Sequence, residues 1–136
     1  MSVDDSTKAQ LVRGNLEKLG RIPQASYAEF AADFRNTEAA LHLLQTSIQA
    51  MIDIGSRWCA KLGLETPRTS FEVIERLEQD GRLPAGSTTR FAPIVGFRNR
   101  VVHLYDRIDP QIVHRVVRER RRDLIDLLDL LLAIEP

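Results

Sequence analysis

Leu41, Leu44, Ile48, Met51, Gly55, Trp58 and Leu62 follow one another at alternating steps of three and four residues. That is the repeat of one helical face, so the spacing predicts a single long helix from about Phe34 to Leu62. So continuous an apolar stripe needs other helices to cover it. Val113, Val117, Arg120, Leu124, Leu127, Leu131 and Ile134 repeat the pattern behind Asp109, a natural N-cap, and Pro110, which suits a first turn. TSFEVIERLEQDGRLP predicts a shorter helix that starts after Thr69 or Ser70 and ends near Gly81. Another runs from about Ala85 or Ser87 through RNRVVHLYDR, where Pro93 can kink it, and a first one covers about Thr7 to Leu19 and stops at Gly20. ASYAEFAADF adds a turn ahead of the long helix. No stretch alternates like a strand. The expected fold is all-α, a compact bundle of four to five helices, with residues 1–136 forming one domain.

A chain of 136 residues can bury a core of its own. The last helix nevertheless carries Leu127, Leu128, Leu130, Leu131, Leu132 and Ile134, more apolar surface than one stripe requires. Self-association would cover the surplus, so a homodimer is expected. The 19 basic and 19 acidic side chains cancel, which argues against whole-body attraction to nucleic acid or an anionic membrane. Their distribution is uneven, because residues 90–122 hold nine arginines against three acids. The lone Cys59, between Trp58 and Ala60, excludes an intramolecular disulfide and reads as an apolar filler. There is no run of 18 apolar residues, and MSVDDSTKAQ lacks the pattern of a signal peptide, so no membrane association and a cytoplasmic location are expected.

The positive charge centres on RNRVVHLYDR, residues 98–107. On a helix, Phe97, Val101, Leu104 and Ile108 form one row, and Phe91, Val95, Arg98, Val102 and Tyr105 lie beside it. Asn99, His103 and Asp106 form a polar row, with Arg100 three positions before His103. Arg98 and His103 stand about 140° apart around the axis and about 7.5 Å along it, so the spacing alone does not bring them together. The chemistry suits RNA cleavage. Histidine exchanges a proton near neutral pH, and an arginine fork can hold phosphoryl oxygens. Each residue also has a plainer reading: a solvated or capping His103, an Arg98 in a surface ion pair, a structural Asn99, and a Tyr105 ring at the core edge. Gln45, Gln49 and Asp53 share one side of the long helix, and a partner such as Arg98 or Arg100 would satisfy Asp53. The run RVVRERRRD, residues 115–123, reads either as a solvated face or as a second basic segment along the same cleft. His42 and His114 have no metal-ligand spacing around them.

RNRVVH has the arginine, four residues, histidine spacing of the HEPN superfamily of ribonucleases. With Tyr105 two residues on, Asn99 after Arg98, and IDIGSRW in the long helix, the chain resembles the HepT-like branch, formerly DUF86. The resemblance covers nearly the full length. It implies a helical homodimer whose two copies of Arg98 and His103 line a shared cleft, cutting RNA without a metal or other cofactor and using the RNA 2'-hydroxyl as nucleophile. His103 would be general acid or base, Arg98 would stabilise phosphoryl charge, and Asn99, Arg100 and Asp53 would support the site. It also implies a toxin made beside a minimal nucleotidyltransferase antitoxin, which would attach AMP to Tyr105. Where the family often has IDIA followed by an Asn or His pair, this chain has Gly55 and Trp58. Gly55 costs a helix roughly 1 kcal/mol unless a close approach requires it. Two other functions fit the same residues: a catalytically silent nucleotide- or protein-binding subunit of a nucleotidyltransferase complex, and a helical dimer whose arginines only keep it soluble.

Overall fold

The computed structural model describes residues 3–104 and 107–136. Among them there are seven helices and no strand: α1 (Val3–Arg21), α2 (Tyr27–Ala31), α3 (Phe34–Lys61), α4 (Ser70–Gln79), α5 (Ser87–Leu104), α6 (Pro110–Glu119) and α7 (Arg121–Leu132). The four to five helices of the sequence reading become seven for two reasons. The turn ahead of α3 is a short helix of its own, and the C-terminal segment divides at Arg120 into α6 and α7.

α3 is the axis, with each of the other six helices packed against it. Its stripe of Leu41, Leu44, Ile48, Met51, Ile54 and Trp58 is buried in one continuous core with Val12 and Leu16 of α1, Ile74 and Leu77 of α4, and Val113 and Val117 of α6. Gly55 sits where α3 meets α4 and α7. A Cβ there would come within 2.7 Å of Val73 Cγ1, with Leu77 and Leu131 close behind, so the close approach explains the glycine in a helix interior. α1 is pinned to α3 by buried Asn15, whose amide donates to the hydroxyls of Thr46 at 2.9 Å and Ser47 at 3.1 Å. It runs one residue past Gly20, which packs under the Arg121 guanidinium.

The helix ends follow from local chemistry. Asp33 caps α3 and Asp109 caps α6, with Pro110 at the first helical position. Thr69 and Glu72 form a capping box on α4. α5 is anchored by Glu78 of α4, whose carboxylate accepts the Thr88 N–H at 2.6 Å and the Gly86 N–H at 3.1 Å. These bonds, that from Thr88 foremost, hold its pKa below the ordinary glutamate value. Pro93 lies inside α5 without ending it.

The apolar surplus of α7 is not left in water. Leu127, Leu128, Leu131 and Ile134 are all buried within one chain, and Leu130 and Leu132 are half-buried. α1, α3, α5 and α6 surround α7, whereas the sequence stripe implies a single partner. α7 therefore gives no argument for a dimer. Cys59 is fully buried, and desolvation pushes its thiol pKa up, as a packing residue requires. No helix among the described residues is long and apolar enough to cross a membrane.

Candidate active site

Three elements enclose an open hollow of about 420 Å³: Ile52 and Ser56 of α3, residues 67–70 at the start of α4 with Val73 beyond them, and Arg98, Asn99 and His103 of α5. Helical spacing alone leaves Arg98 and His103 apart, and the hollow reaches both because it runs along the side of α5 that faces the α3–α4 connection. His103 is exposed, while Arg98 and Asn99 are half-buried. No carboxylate lines the hollow among the described residues, whereas two guanidinium groups, Arg68 and Arg98, do.

Arg98 is held from behind. Its Nη2 donates to Gln49 Oε1 on α3 and its Nη1 to Asn99 Oδ1 at 3.1 Å, while Nε is buried with no hydrogen-bond partner among the described residues. Gln49 in turn donates from Nε2 to Asp53 Oδ1 at 2.8 Å. Gln49 and Asp53, two of the three residues in the polar row of α3 that looks expensive to bury, therefore form a relay. Asp53 fixes the Gln49 amide so that its oxygen faces α5, and that oxygen fixes the guanidinium. Asp53 itself does not line the hollow, and neither Arg98 nor Arg100 pairs with it directly. Arg100 is exposed and outside the hollow. Tyr105 and Asp106 lie outside the described residues.

Sequence reading missed Arg68. It lies 30 positions before Arg98, in a segment that reads only as a helix start, and the fold alone brings the two to one hollow.

The second basic segment is occupied elsewhere. Arg118 donates to the carbonyl oxygens of Gln24 and Ala25 at 2.7 and 2.6 Å, so it closes the loop before α2. Arg120 pairs with Asp123 and Arg122 with Asp126, and Arg90 of α5 bridges both acids. Arg118, Arg120 and Arg122 are thus tied into the fold, and Arg115 and Arg118 line a separate hollow beside Tyr27 and His114 that shares no residue with the one at Arg98. His114 is likewise used, 2.9 Å from the Gln24 carbonyl and edge-on to Tyr27. His42 is exposed on α3.

The family described as Ribonuclease HepT-like matches residues 12–131. The chain is 32% identical to a tRNA nuclease HepT of Aphanizomenon flos-aquae over 111 residues, which are 82% of this chain and 76% of that protein. It is 26% identical to an mRNA nuclease HepT of Shewanella oneidensis over 106 residues, 78% of this chain and 80% of that one. In fold it matches a tri-AMPylated Shewanella oneidensis HEPN toxin solved in complex with MNT antitoxin, with a TM-score of 0.85 at 22% identity, covering 98% of this chain and 99% of that one. A toxin–antitoxin structure with AMP-PNP gives a TM-score of 0.84 at 21% identity, covering 96% and 99%. With a family match over most of its length and a relative at this level of identity, the chain belongs to the HepT-like ribonuclease family.

Proposed function

We propose that this chain is an RNA endonuclease and the toxin of a toxin–antitoxin pair, with Arg98 and His103 at its centre. The observation that carries the reading is the one hollow lined by Arg98, Asn99 and His103, free of carboxylates among the described residues and backed by the Gln49–Asp53 relay. In the reaction the RNA 2'-oxygen attacks the adjacent phosphorus and the bond from phosphorus to the 5'-oxygen breaks. The products are a 2',3'-cyclic phosphate and a 5'-hydroxyl. A proton must leave the 2'-hydroxyl and another must reach the departing 5'-oxygen. An exposed imidazole at His103 suits either transfer. The Arg98 fork, held in place before substrate arrives, stabilises the charge that builds on the phosphoryl oxygens. Neither role requires a metal ion.

One imidazole serves one transfer at a time, so two copies of the chain meeting across a shared groove would supply both. This homodimer rests on the family resemblance and the two proton transfers. The partner in the cell is a minimal nucleotidyltransferase antitoxin that attaches AMP to Tyr105, two residues beyond His103. Each added phosphate would place negative charge beside the cations that an RNA backbone needs, repelling the substrate. The protein acts in the cytoplasm, where its RNA is.

Induction in a bacterial host of the wild type and of His103→Ala, with growth and RNA integrity followed together, tests the reading. Growth arrest with RNA loss for the wild type alone is expected. A wild type that leaves RNA intact while binding a nucleotidyltransferase would instead support the silent subunit.

A further inference from the structure

We propose that Arg68 is a substrate-binding residue of the same site, holding a phosphate of single-stranded RNA next to the one that is cut. The inference rests on the ribonuclease reading for its biological meaning, but Arg68 is argued from its own geometry. It lines the hollow with Arg98 and His103, and it comes from a different element, the connection between α3 and α4. Its backbone is unusually well fixed for a connector. The Glu72 carboxylate accepts the N–H of Arg68 at 2.6 Å and that of Thr69 at 3.2 Å, while the Thr69 hydroxyl accepts the N–H of Glu72 at 3.2 Å. These bonds, that from Arg68 foremost, hold the Glu72 pKa below its ordinary value, so the clamp stays closed at neutral pH.

The side chain, by contrast, is exposed, and its guanidinium makes no hydrogen bond or ion pair within 4 Å among the described residues, its charge acting on the Glu72 carboxylate only from a longer range. Glu65, Glu72 and Glu75, the nearby carboxylates of the α3–α4 region, are all engaged by Arg76. Arg98 is the reverse, a guanidinium held rigidly by Gln49 and Asn99. A rigid cation suits the phosphate whose geometry changes during the reaction. An exposed one with no hydrogen bond of its own, on a fixed backbone, suits a flanking phosphate, which needs only to be held. Such an interaction carries no base information, so Arg68 would strengthen binding to any sequence alike.

The test is binding of the full-length protein to a fluorescent 2'-O-methyl RNA oligonucleotide, which lacks the nucleophile and cannot be cleaved by this route, across a series of salt concentrations. Wild type, Arg68→Gln and Arg68→Lys are compared, together with Arg35→Gln, which removes an arginine paired to Asp33 at the start of α3. Arg68→Gln should bind several-fold more weakly, and the slope of log affinity against log salt should flatten by about 0.7 for each phosphate that is no longer neutralised. Arg68→Lys should keep the wild-type slope, Arg35→Gln should change neither quantity, and all four should melt alike. Equal affinity and slope for Arg68→Gln and wild type would overturn the proposal, as would no binding by the wild type. Binding that depends on Arg68 in a protein that never cleaves RNA would sink the ribonuclease reading and leave the Arg68–phosphate pairing standing.

Discussion

Gln49 of α3 accepts a hydrogen bond from the Arg98 guanidinium of α5 and passes one of its own to Asp53, one turn further along α3. An uncharged amide between an arginine and a carboxylate keeps the guanidinium oriented without neutralising it. Asp53 in direct contact would cancel the charge that, on the proposed reading, meets a phosphate. If Arg98 acts as proposed, the relay makes Gln49 a positioning residue, and its removal should act on the chemical step.

Gln49→Leu should therefore lower kcat for RNA cleavage about tenfold, the size expected when one positioning hydrogen bond to a charged group is removed, with KM changed much less. Melting temperature read alongside separates this from a folding defect. Asp53→Asn, which keeps an acceptor for the Gln49 amide, should be milder than Asp53→Ala. Equal rates for Gln49→Leu and wild type would show that Arg98 needs no anchor.

Gly55→Ala tests the packing of α3 against α4. Alanine favours a helix by about 1 kcal/mol over glycine on propensity alone. Here its methyl meets Val73 Cγ1 at 2.7 Å, and relieving that overlap means turning the stiff, buried Val73 side chain or shifting α4. A net loss of about 1 to 2 kcal/mol in denaturant unfolding is expected. A gain would mean that α4 can shift freely, and with it the Arg68 side of the hollow.

Glu78 predicts a pH dependence. Its pKa is lowered in the folded chain by the N–H groups of Thr88 and Gly86. A carboxylate bound more tightly when folded contributes stability above its unfolded value of 4.5, and the contribution is lost as pH falls through the lower folded value. Glu78→Gln should thus be less stable than wild type at neutral pH, with the difference shrinking below pH 4.5. Thermal melts from neutral pH down to well below that value check it. A constant difference across that range would remove Glu78 as the anchor of α5.

Much of the fold is legible in the residues. The three-and-four stripe of α3, the Thr69 and Glu72 capping box and the Asp109–Pro110 start are local patterns, and each fixes an element near its observed bounds. The break between α6 and α7 is not legible, because Arg120 interrupts the helix with neither glycine nor proline to mark it. The surplus leucines of α7 mislead for a related reason. A stripe shows that a face must be covered, but not by how many neighbours, and here the neighbours belong to the same chain. At the site, RNRVVH marks Arg98, Asn99 and His103, whereas the Gln49 hydrogen bond and the presence of Arg68 join segments 49 and 30 residues apart. Only the packing of α3 against α4 and α5 creates them.

The most direct measurement is cleavage of a defined RNA by purified wild type, Arg98→Ala and His103→Ala in the presence of EDTA, with end-group analysis of the products. Wild type should cut and leave 2',3'-cyclic phosphate ends. Each variant should stay folded and lose at least about a hundredfold in rate. Cleavage by folded His103→Ala at the wild-type rate, or wild-type activity that vanishes with EDTA and returns with a divalent metal, would contradict it.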